Sequence, residues 1–236
     1  MVYLDGVRIA VLYDIHGNLA ALEAVLADAH EAAARRFVLG GDYALFGPWP
    51  LETVLALREL DATWIRGNGE RWTAAPAQAP DDPVVQGAIA ACQGALGDSV
   101  VAELDALPQN TVQGDARFCH ASPISDVRSF LQQPADDEDE LLGAIAERRL
   151  VFGHTHLPFR RDSAGGIELV NPGSVGMSFD GDPRAAYALI HPNGEVEHRR
   201  VAYDHERAAG ALRERFEDEW AETVARRIEQ ATFAPA

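Results

Sequence analysis

Disulfides are the first thing this sequence cannot supply. Its 236 residues include two cysteines, Cys92 and Cys119, too few for a disulfide framework. A reducing, cytoplasmic setting is the simplest expectation, with both thiols packed as small buried hydrophobes. Long apolar runs are also missing. Stretches such as Arg8–Tyr13 fall far short of the roughly 20 residues a bilayer-crossing helix needs. No membrane partner is expected, nor a signal peptide before residue 7. Positive charge is scarce too: 20 basic residues face 37 acidic ones, for a formal net charge of −17. Such a surface repels a nucleic-acid backbone and no basic stripe offsets it, so polymeric nucleic acid is not an expected partner. A small phosphorylated molecule is still admitted, because a local metal cluster can outweigh the global field.

What the chain does have is 47% hydrophobic residues, enough for a sizeable core. Its length suits one α/β domain over residues 1–236 with a small helical insert. Val7–Tyr13 is apolar and rich in β-branched residues, which predicts a buried strand. Apolar residues at Leu19, Leu22, Val25 and Leu26 then predict a helix, with Asn18 as its N-cap. The pattern repeats: strand at Arg36–Leu39, helix over Leu51–Leu60, strand at Ala62–Arg66. Alternating strands and helices indicate a parallel sheet. In such sheets chemistry gathers in the loops at the carboxyl ends of the strands.

From about residue 72 to 110 alanine, proline and glutamine dominate. Two helices are predicted there, Pro83–Gly94 and Asp98–Leu107. Further strands are predicted at Ala116–Cys119, Arg149–Phe152, Ile167–Val170, Ala186–Ile190 and Val196–Val201. Asn193-Gly194 reads as a hairpin turn between the last two. Asp136–Glu140 reads as a solvated helix start. One long amphipathic helix is predicted from Asp204 to Gln230.

Polar clusters follow the strands. Asp14-x-His16 and His154-x-His156 each hold two metal-competent side chains two positions apart. In extended backbone such a pair points to one side and can reach one ion. Asp42 and Asn68 lie in glycine-containing loops, and His120 ends a strand. A lone Asp after a strand is more often a turn residue, so the joint pattern carries the argument. His30, His191, His198 and His205 share none of this pattern and are assigned no function.

The motifs DIHGN (14–18), GD (41–42), GNGE (67–70), CHASP (119–123) and GHTHLP (153–158), in this order, resemble the calcineurin-like metallophosphoesterase superfamily. DYALFGPWP (42–50), NPGSVG (171–176) and the run at 180–190 are similar to a small bacterial and archaeal branch grouped with diadenosine tetraphosphatase and phosphodiesterase relatives. The resemblance implies a four-layer α/β fold, with two packed mixed β-sheets flanked by helices. It implies two divalent metal ions: Asp14, His16 and His156 on the first, Asn68, His120 and His154 on the second, Asp42 bridging. Mixed oxygen and nitrogen ligands suit Mn, Fe, Zn or similar ions. The implied activity is hydrolysis of a phosphate ester by metal-activated water.

One position departs from the family pattern. Many members read Gly-Asn-His where this chain reads Gly67-Asn68-Gly69, and in them that His contacts the scissile phosphate or helps the leaving group depart. Without it, a phosphodiester or nucleotide phosphoanhydride is expected to be a better substrate than a phosphomonoester. His205 is the named alternative for filling the gap. Arg66, Arg71, Arg128 and Arg184 are candidate substrate-binding residues, Glu70 a loop support, and Asn171 an orienting partner for a ligand histidine. Two competing readings are a non-catalytic metal-binding scaffold, for which the retromer subunit of this fold is the precedent, and a phosphoprotein phosphatase.

Overall fold

The computed structural model describes residues 6–234. Two five-stranded sheets form its centre. The first contains β1 (Arg8–Leu12), β2 (Ala34–Leu39), β3 (Ala62–Trp64), β9 (Ala185–Ile190) and β10 (Val196–Val201), ordered β10-β9-β1-β2-β3. Strands β1, β2 and β3 run parallel, whereas β9 and β10 form an antiparallel hairpin on the β1 edge. The second contains β4 (Asn110–Gln113), β5 (Ala116–Cys119), β6 (Arg149–Val151), β7 (Phe159–Asp162) and β8 (Glu168–Asn171), ordered β4-β5-β6-β8-β7. Here β5, β6 and β8 are parallel.

Strand alternation decides what lies between the sheets. Ile9, Val11 and Tyr13 of the first strand and its end cluster with Val38, Ile65, Phe118, Val151, Val170 and Ala188. Ala10 and Leu12 face the other way, into a cluster with helices α1 (Leu19–Glu31), α2 (Pro50–Arg58), α4 (Pro83–Asp105), α6 (His205–Arg215) and α7 (Glu219–Gln230). Beyond the second sheet, Phe130, Leu150, Phe152 and Leu169 pack with Leu141 and Leu142 of the short α5 (Glu138–Leu142). This is the expected stack of two mixed sheets flanked by helices, with a thin outer layer on the second sheet.

The predicted strands recur with ends shifted by a residue or two, and Gly194 (φ 84°) turns the β9–β10 hairpin as expected. Over Pro83–Asp105 the two predicted helices meet at Gly97, whose φ of 72° breaks the helical path. This helix corrects one expectation. By length and composition it is apolar enough to cross a membrane. Here it packs against α2, α7 and α3 (Asn68–Ala74) instead, carrying Ala88, Ile89, Cys92, Leu96 and Leu104 into the core. The C-terminal helix is two helices, because extended Phe216 (φ −137°, ψ 120°) turns the chain back. That turn lets α7 bury Trp220 against α4 and α6. At the acidic run, Glu138 is buried rather than solvated, since Arg161 pairs with it.

Candidate functional site

Every loop that carries a candidate ligand leaves the carboxyl end of a strand, and the two sheets bring these ends together. Asp14 and His16 follow β1, Asp42 follows β2, Asn68 opens α3 just after β3, His120 follows β5, and His154 and His156 follow β6. The loops are tied by their own backbones. Asp14 N donates to Gly41 O (3.2 Å), His16 N to Asp42 O (2.8 Å) and Gly153 N to His120 O (2.7 Å).

The paired ligands are not in extended backbone, which corrects the simple argument from alternation. Asp14 (φ 54°), His16 (50°), Asp42 (56°), His154 (68°) and His156 (59°) all occupy the left-handed region. Non-glycine residues held there cost about 1–3 kcal/mol each, and such strain collects at functional sites. Tight loops, not strand pleat, aim these side chains inward. Gly153 permits one close approach: a Cβ there would lie 2.5 Å from Asp14 Oδ2.

The side chains meet. His16 Nε2 and His156 Nε2 are 3.0 Å apart. Asp14 Oδ1 lies 3.5 Å from His156 Nε2, 3.8 Å from His120 Nε2 and 3.9 Å from His16 Nε2. Asp42 spreads its two oxygens, Oδ1 at 3.5 Å from His120 Nε2 and Oδ2 at 3.9 Å from His16 Nε2. One amide atom of Asn68 faces both His120 Nε2 (3.0 Å) and His154 Nδ1 (2.9 Å). An amide NH2 in that place donates to both rings, whereas with a cation between them the carbonyl oxygen would take that place and face the ion alongside the two ring nitrogens. The ligand atoms of Asp14, His16 and His156 all lie within 4.8 Å of one another, as do those of Asp14, Asp42 and His120.

Three features fit a cation. Asp14 Oδ1 is buried with no hydrogen-bond partner, an expensive state unless a positive charge answers it. The far ring nitrogens are held by backbone carbonyls: His16 Nδ1 by Leu45 O (2.9 Å), His120 Nδ1 by Gly40 O (2.8 Å), His156 Nδ1 by Met177 O. A donor role there leaves each Nε2 as an inward lone pair. Finally, burial pushes the His16 and His154 imidazoles down to about 3 and about 4, so both rings are neutral at physiological pH, the form that can bind a cation. Burial, with help from the Glu70 and Asp14 carboxylates, pushes Asp42 up to about 7. Asp14 goes the other way. Burial opposes its charge, but the rings of His156, His120 and His16 hold its carboxyl well below the usual range. Burial opposes charge on His120 too, but the Asp42 and Asp14 carboxylates raise it.

Glu70 is the loop support expected of it. Its carboxylate accepts from Asp42 N (2.9 Å), Tyr43 N (2.8 Å) and Gly67 N (2.7 Å). Asn171 acts one step further out than expected: its Nδ2 donates to Gly153 O (3.2 Å) and Thr155 Oγ1 (2.9 Å), shaping the loop that presents the two histidines. Cys119 and Cys92 are buried free thiols, their acidity suppressed by burial, Cys92 to about 12.

The site opens into a cavity of about 720 Å³ lined by His16, Asp42, Asn68, His154 and His156 together with apolar side chains. None of the four candidate arginines lines it. Arg66 pairs with Asp105 (2.8 Å), Arg71 with Asp126 (2.6 Å), Arg128 with Asp137 and Glu140, and Arg184 with Asp182. The cation that does line it is Arg227 of α7, which sequence reasoning missed along with Phe46, Trp72, Phe179 and Phe233. The aromatic residue just before Gly47 and the one in the Ser178-Phe179-Asp180 stretch were the available signals. His205 starts α6 and does not line the cavity either.

A family model, the calcineurin-like phosphoesterase superfamily domain, matches residues 7–195. The chain belongs to that superfamily. The solved structure of a metallophosphoesterase from Sphaerobacter thermophilus is 28% identical, covers 97% of this chain and 100% of its own, and superposes with a TM-score of 0.81. A hypothetical protein from Pyrococcus horikoshii OT3 has the same fold, with 20% identity, the same coverage of both chains and a TM-score of 0.83. An uncharacterised protein of Methanocaldococcus jannaschii is 29% identical over 222 residues, spanning 85% of this chain and 89% of the relative. Phosphoester hydrolysis with divalent metal is the chemistry of the family, and the residues above are suited to hold the metal.

Proposed function

We propose that this protein is a binuclear-metal-dependent phosphoesterase that cleaves a phosphodiester or nucleotide phosphoanhydride. The reading is carried by one observation: five strand ends converge on a buried, partnerless Asp14 Oδ1 ringed by three imidazole nitrogens. Asp14, His16 and His156 would hold one ion, Asn68, His120 and His154 the other, with the divided oxygens of Asp42 reaching both. When bound, two divalent ions such as Mn, Fe or Zn supply Lewis-acid polarisation of the phosphoryl oxygens and a water acidic enough to attack near neutral pH.

The chain's own contributions are orientation and exclusion. Leu45 O, Gly40 O and Met177 O fix three imidazoles, and Glu70 fixes the Asp42 and Gly67 amides. Gly69 supplies no proton to a leaving group. Its amide donates to Asp42 Oδ1 at 2.7 Å, and a Cβ there would lie 2.9 Å from the same oxygen. The backbone therefore sits too close to Asp42 for a side chain to be added without moving a proposed bridging ligand. A substrate whose leaving group departs unaided, a diester with an acidic alcohol or an anhydride, fits this gap best. A scaffold role is disfavoured because all seven candidate ligands meet, and a phosphoprotein phosphatase because nothing stands at residue 69. The buried free thiols fit a reducing, cytoplasmic setting. The charge of −17 favours a small phosphorylated substrate over a polymer.

Metal analysis joined to a substrate panel tests this. The expected result is two equivalents of metal per chain and faster cleavage of bis-p-nitrophenyl phosphate than of p-nitrophenyl phosphate, with dinucleoside polyphosphates in the panel. Faster cleavage of the monoester across Mn, Fe and Zn would overturn the selectivity.

A further inference from the structure

A phosphodiester carries two organic arms, and the proposed metal ligands need only the phosphate between them. The wall that an arm must cross is apolar from the ligands outward. Phe179 lies flat on the His156 ring, with centroids 4.3 Å apart and planes 11° apart, and Phe233 meets Phe179 edge-on at 5.5 Å. Phe46 stands tilted against His16 at 5.7 Å. Its φ of 80° lies in the left-handed region, where a bulky side chain is strained. Each histidine proposed for the first ion therefore has a phenyl ring beside it, and one of these rings leads on to the cavity mouth.

The rim continues the same chemistry. Six large apolar side chains are exposed among the described residues, and three of them, Val127 (42%), Leu131 (54%) and Phe233 (62%), line this one cavity. They come from stretches far apart in sequence, between β5 and α5 and after α7, so local composition does not explain their meeting. Exposed apolar groups gathered around a concave site mark a place that binds. The polar side chains of the wall make their hydrogen bonds to the chain itself. Ser129 Oγ donates to Ala121 O (3.1 Å) and Gly153 O (3.2 Å), and Thr155 Oγ1 accepts from Asn171 Nδ2 (2.9 Å). Asp82 Oδ1 caps α4 by accepting from Val84 N and Val85 N. Arg227 Nε donates to Phe233 O at 3.0 Å, and its guanidinium stands 4.5 Å from that ring's centroid.

We infer that the substrate is a phosphodiester with a hydrocarbon arm, which lies along Phe179, Phe233, Val127 and Leu131 while the phosphate meets the metal ligands. At about 720 Å³ the cavity has room for an arm of several carbons. The hydrogen-bonding edges of a base or sugar would lose water on this wall and find few groups to replace it, which weakens binding. A hydrocarbon arm gives up no hydrogen bond, and each methylene fully buried strengthens binding about fourfold. Hydrolysis joins a water oxygen to phosphorus and breaks one P–O bond. The departing arm leaves with the electron pair, the water's protons pass to the products and solvent, and nothing is oxidised or reduced. This inference rests on the phosphoesterase reading for the position of the phosphate, and narrows its substrate to a diester.

The test is calorimetry on the metal-loaded full chain with methyl, hexyl and phenyl phosphate, and with thymidine monophosphate as the polar comparison. Hexyl phosphate should bind at least about thirtyfold more tightly than methyl phosphate, a fraction of what full burial of its five further methylenes would give. It should also bind more tightly than thymidine monophosphate. Phenyl phosphate separates two sources of hydrocarbon: affinity at or above that of hexyl phosphate assigns an aryl arm, and lower affinity an alkyl chain. Phe233→Ala and Leu131→Ser each remove an exposed side chain and leave the core intact. Each should weaken hexyl phosphate by about three- to tenfold and methyl phosphate by less than about twofold. Equal affinity for methyl and hexyl phosphate, tighter binding of thymidine monophosphate than of hexyl phosphate, or variants that weaken both alkyl phosphates equally, overturns the inference. Turnover of methyl and hexyl p-nitrophenyl phosphate is measured alongside. Failure to cleave either ester with any metal sinks the phosphoesterase reading instead, and the calorimetry still decides whether a hydrocarbon arm is bound.

Discussion

The first strand serves two regions with opposite requirements, and the boundary between them is one peptide bond. Up to Tyr13 its inward side chains join an apolar inter-sheet cluster, and the Tyr13 hydroxyl donates to Val151 O at 3.0 Å. From Asp14 onward the burial is just as complete, Asp14 being 0% exposed, but the groups are carboxylates and imidazoles in left-handed backbone. Between the sheets, burial stabilises by removing apolar area from water. At the strand ends, burial raises the free energy of every charge it encloses. The comparison teaches that the core holds the loops in a conformation they would not choose themselves. A cation would be the missing partner.

The largest effect that can break this comparison is expected at Asp42. Asp42→Asn keeps shape and can still accept from Gly69 N, but it removes the negative charge proposed to be shared by both ions. Metal content and activity should fall together. The loss should exceed the roughly 10–100-fold that follows from removing an outer partner of a metal ligand. Two-metal occupancy at wild-type affinity, measured by elemental analysis, would end the bridging assignment. Metal-free Asp42→Asn should also be at least as stable as metal-free wild type at pH 8. Asp42 is raised to about 7 in the folded protein, above its ordinary range. Its contribution to stability is therefore fully present at low pH and is lost as pH rises through about 7. Thermal melts of the two metal-free proteins check the sign.

Ile9→Ala is the counterpart from the other region, and the next largest effect. Ile9 is 1% exposed, lies in the inter-sheet cluster and stands near the start of β1, whose other end leads into the Asp14 loop. It should cost about 2–5 kcal/mol of stability, the usual range for a buried Ile→Ala, while metal per folded chain stays unchanged. Denaturant melts with metal analysis separate the outcomes. Lost metal at full stability would mean that the two regions are not divided as drawn.

How much of this was legible in the sequence follows the same boundary. Ala116–Cys119 appears with the predicted ends, because its apolar Ala116, Phe118 and Cys119 report burial directly. β7 was missed because Phe159–Asp162 alternates between half-buried and exposed and carries two arginines. α3 was missed because its first residues, Asn68 and Gly69, read as loop. The seven candidate ligands were readable from the order of their motifs, and the structure brings them together. Their fixing partners were not readable: Leu45, Gly40 and Met177 act through carbonyl oxygens, which leave no trace in side-chain identity. Arg227 and Phe233 were invisible for another reason. They reach the cavity only because Phe216 turns the C-terminal chain back, a tertiary fact that periodicity cannot carry.

Glu70→Gln sharpens the comparison at the next level down. The carboxylate accepts three backbone amides with two oxygens. A carboxamide presents one oxygen and one NH2, so at least one amide N–H would face a donor. Activity and metal affinity should drop by about 10–100-fold, as for other partners that orient ligands, while the inter-sheet core keeps its hydrogen-exchange protection. A variant with wild-type kinetics would show that loop strain needs no such tie.

The smallest effects are expected where the sequence pointed to substrate contacts that the cavity does not use. Arg128 and Arg184 are exposed and already paired, Arg128 with Asp137 and Glu140, Arg184 with Asp182. Their alanine variants should keep kcat/KM within about twofold for a diester substrate, as surface ion pairs contribute little. Arg71 differs although it is also outside the lining. It grips Asp126 through Nε and Nη2, at 2.6 and 2.8 Å, and the Asp126 carbonyl oxygen lies 3.1 Å from the Asn68 amide. Arg71→Ala should therefore lower metal affinity more than either exposed variant does, without a selective loss of affinity for hexyl phosphate. A KM effect for Arg128→Ala that grows with substrate length would mean the substrate runs beyond the cavity across the outer face of the second sheet, and the division between ligand loops and apolar wall would have to be redrawn to include that face.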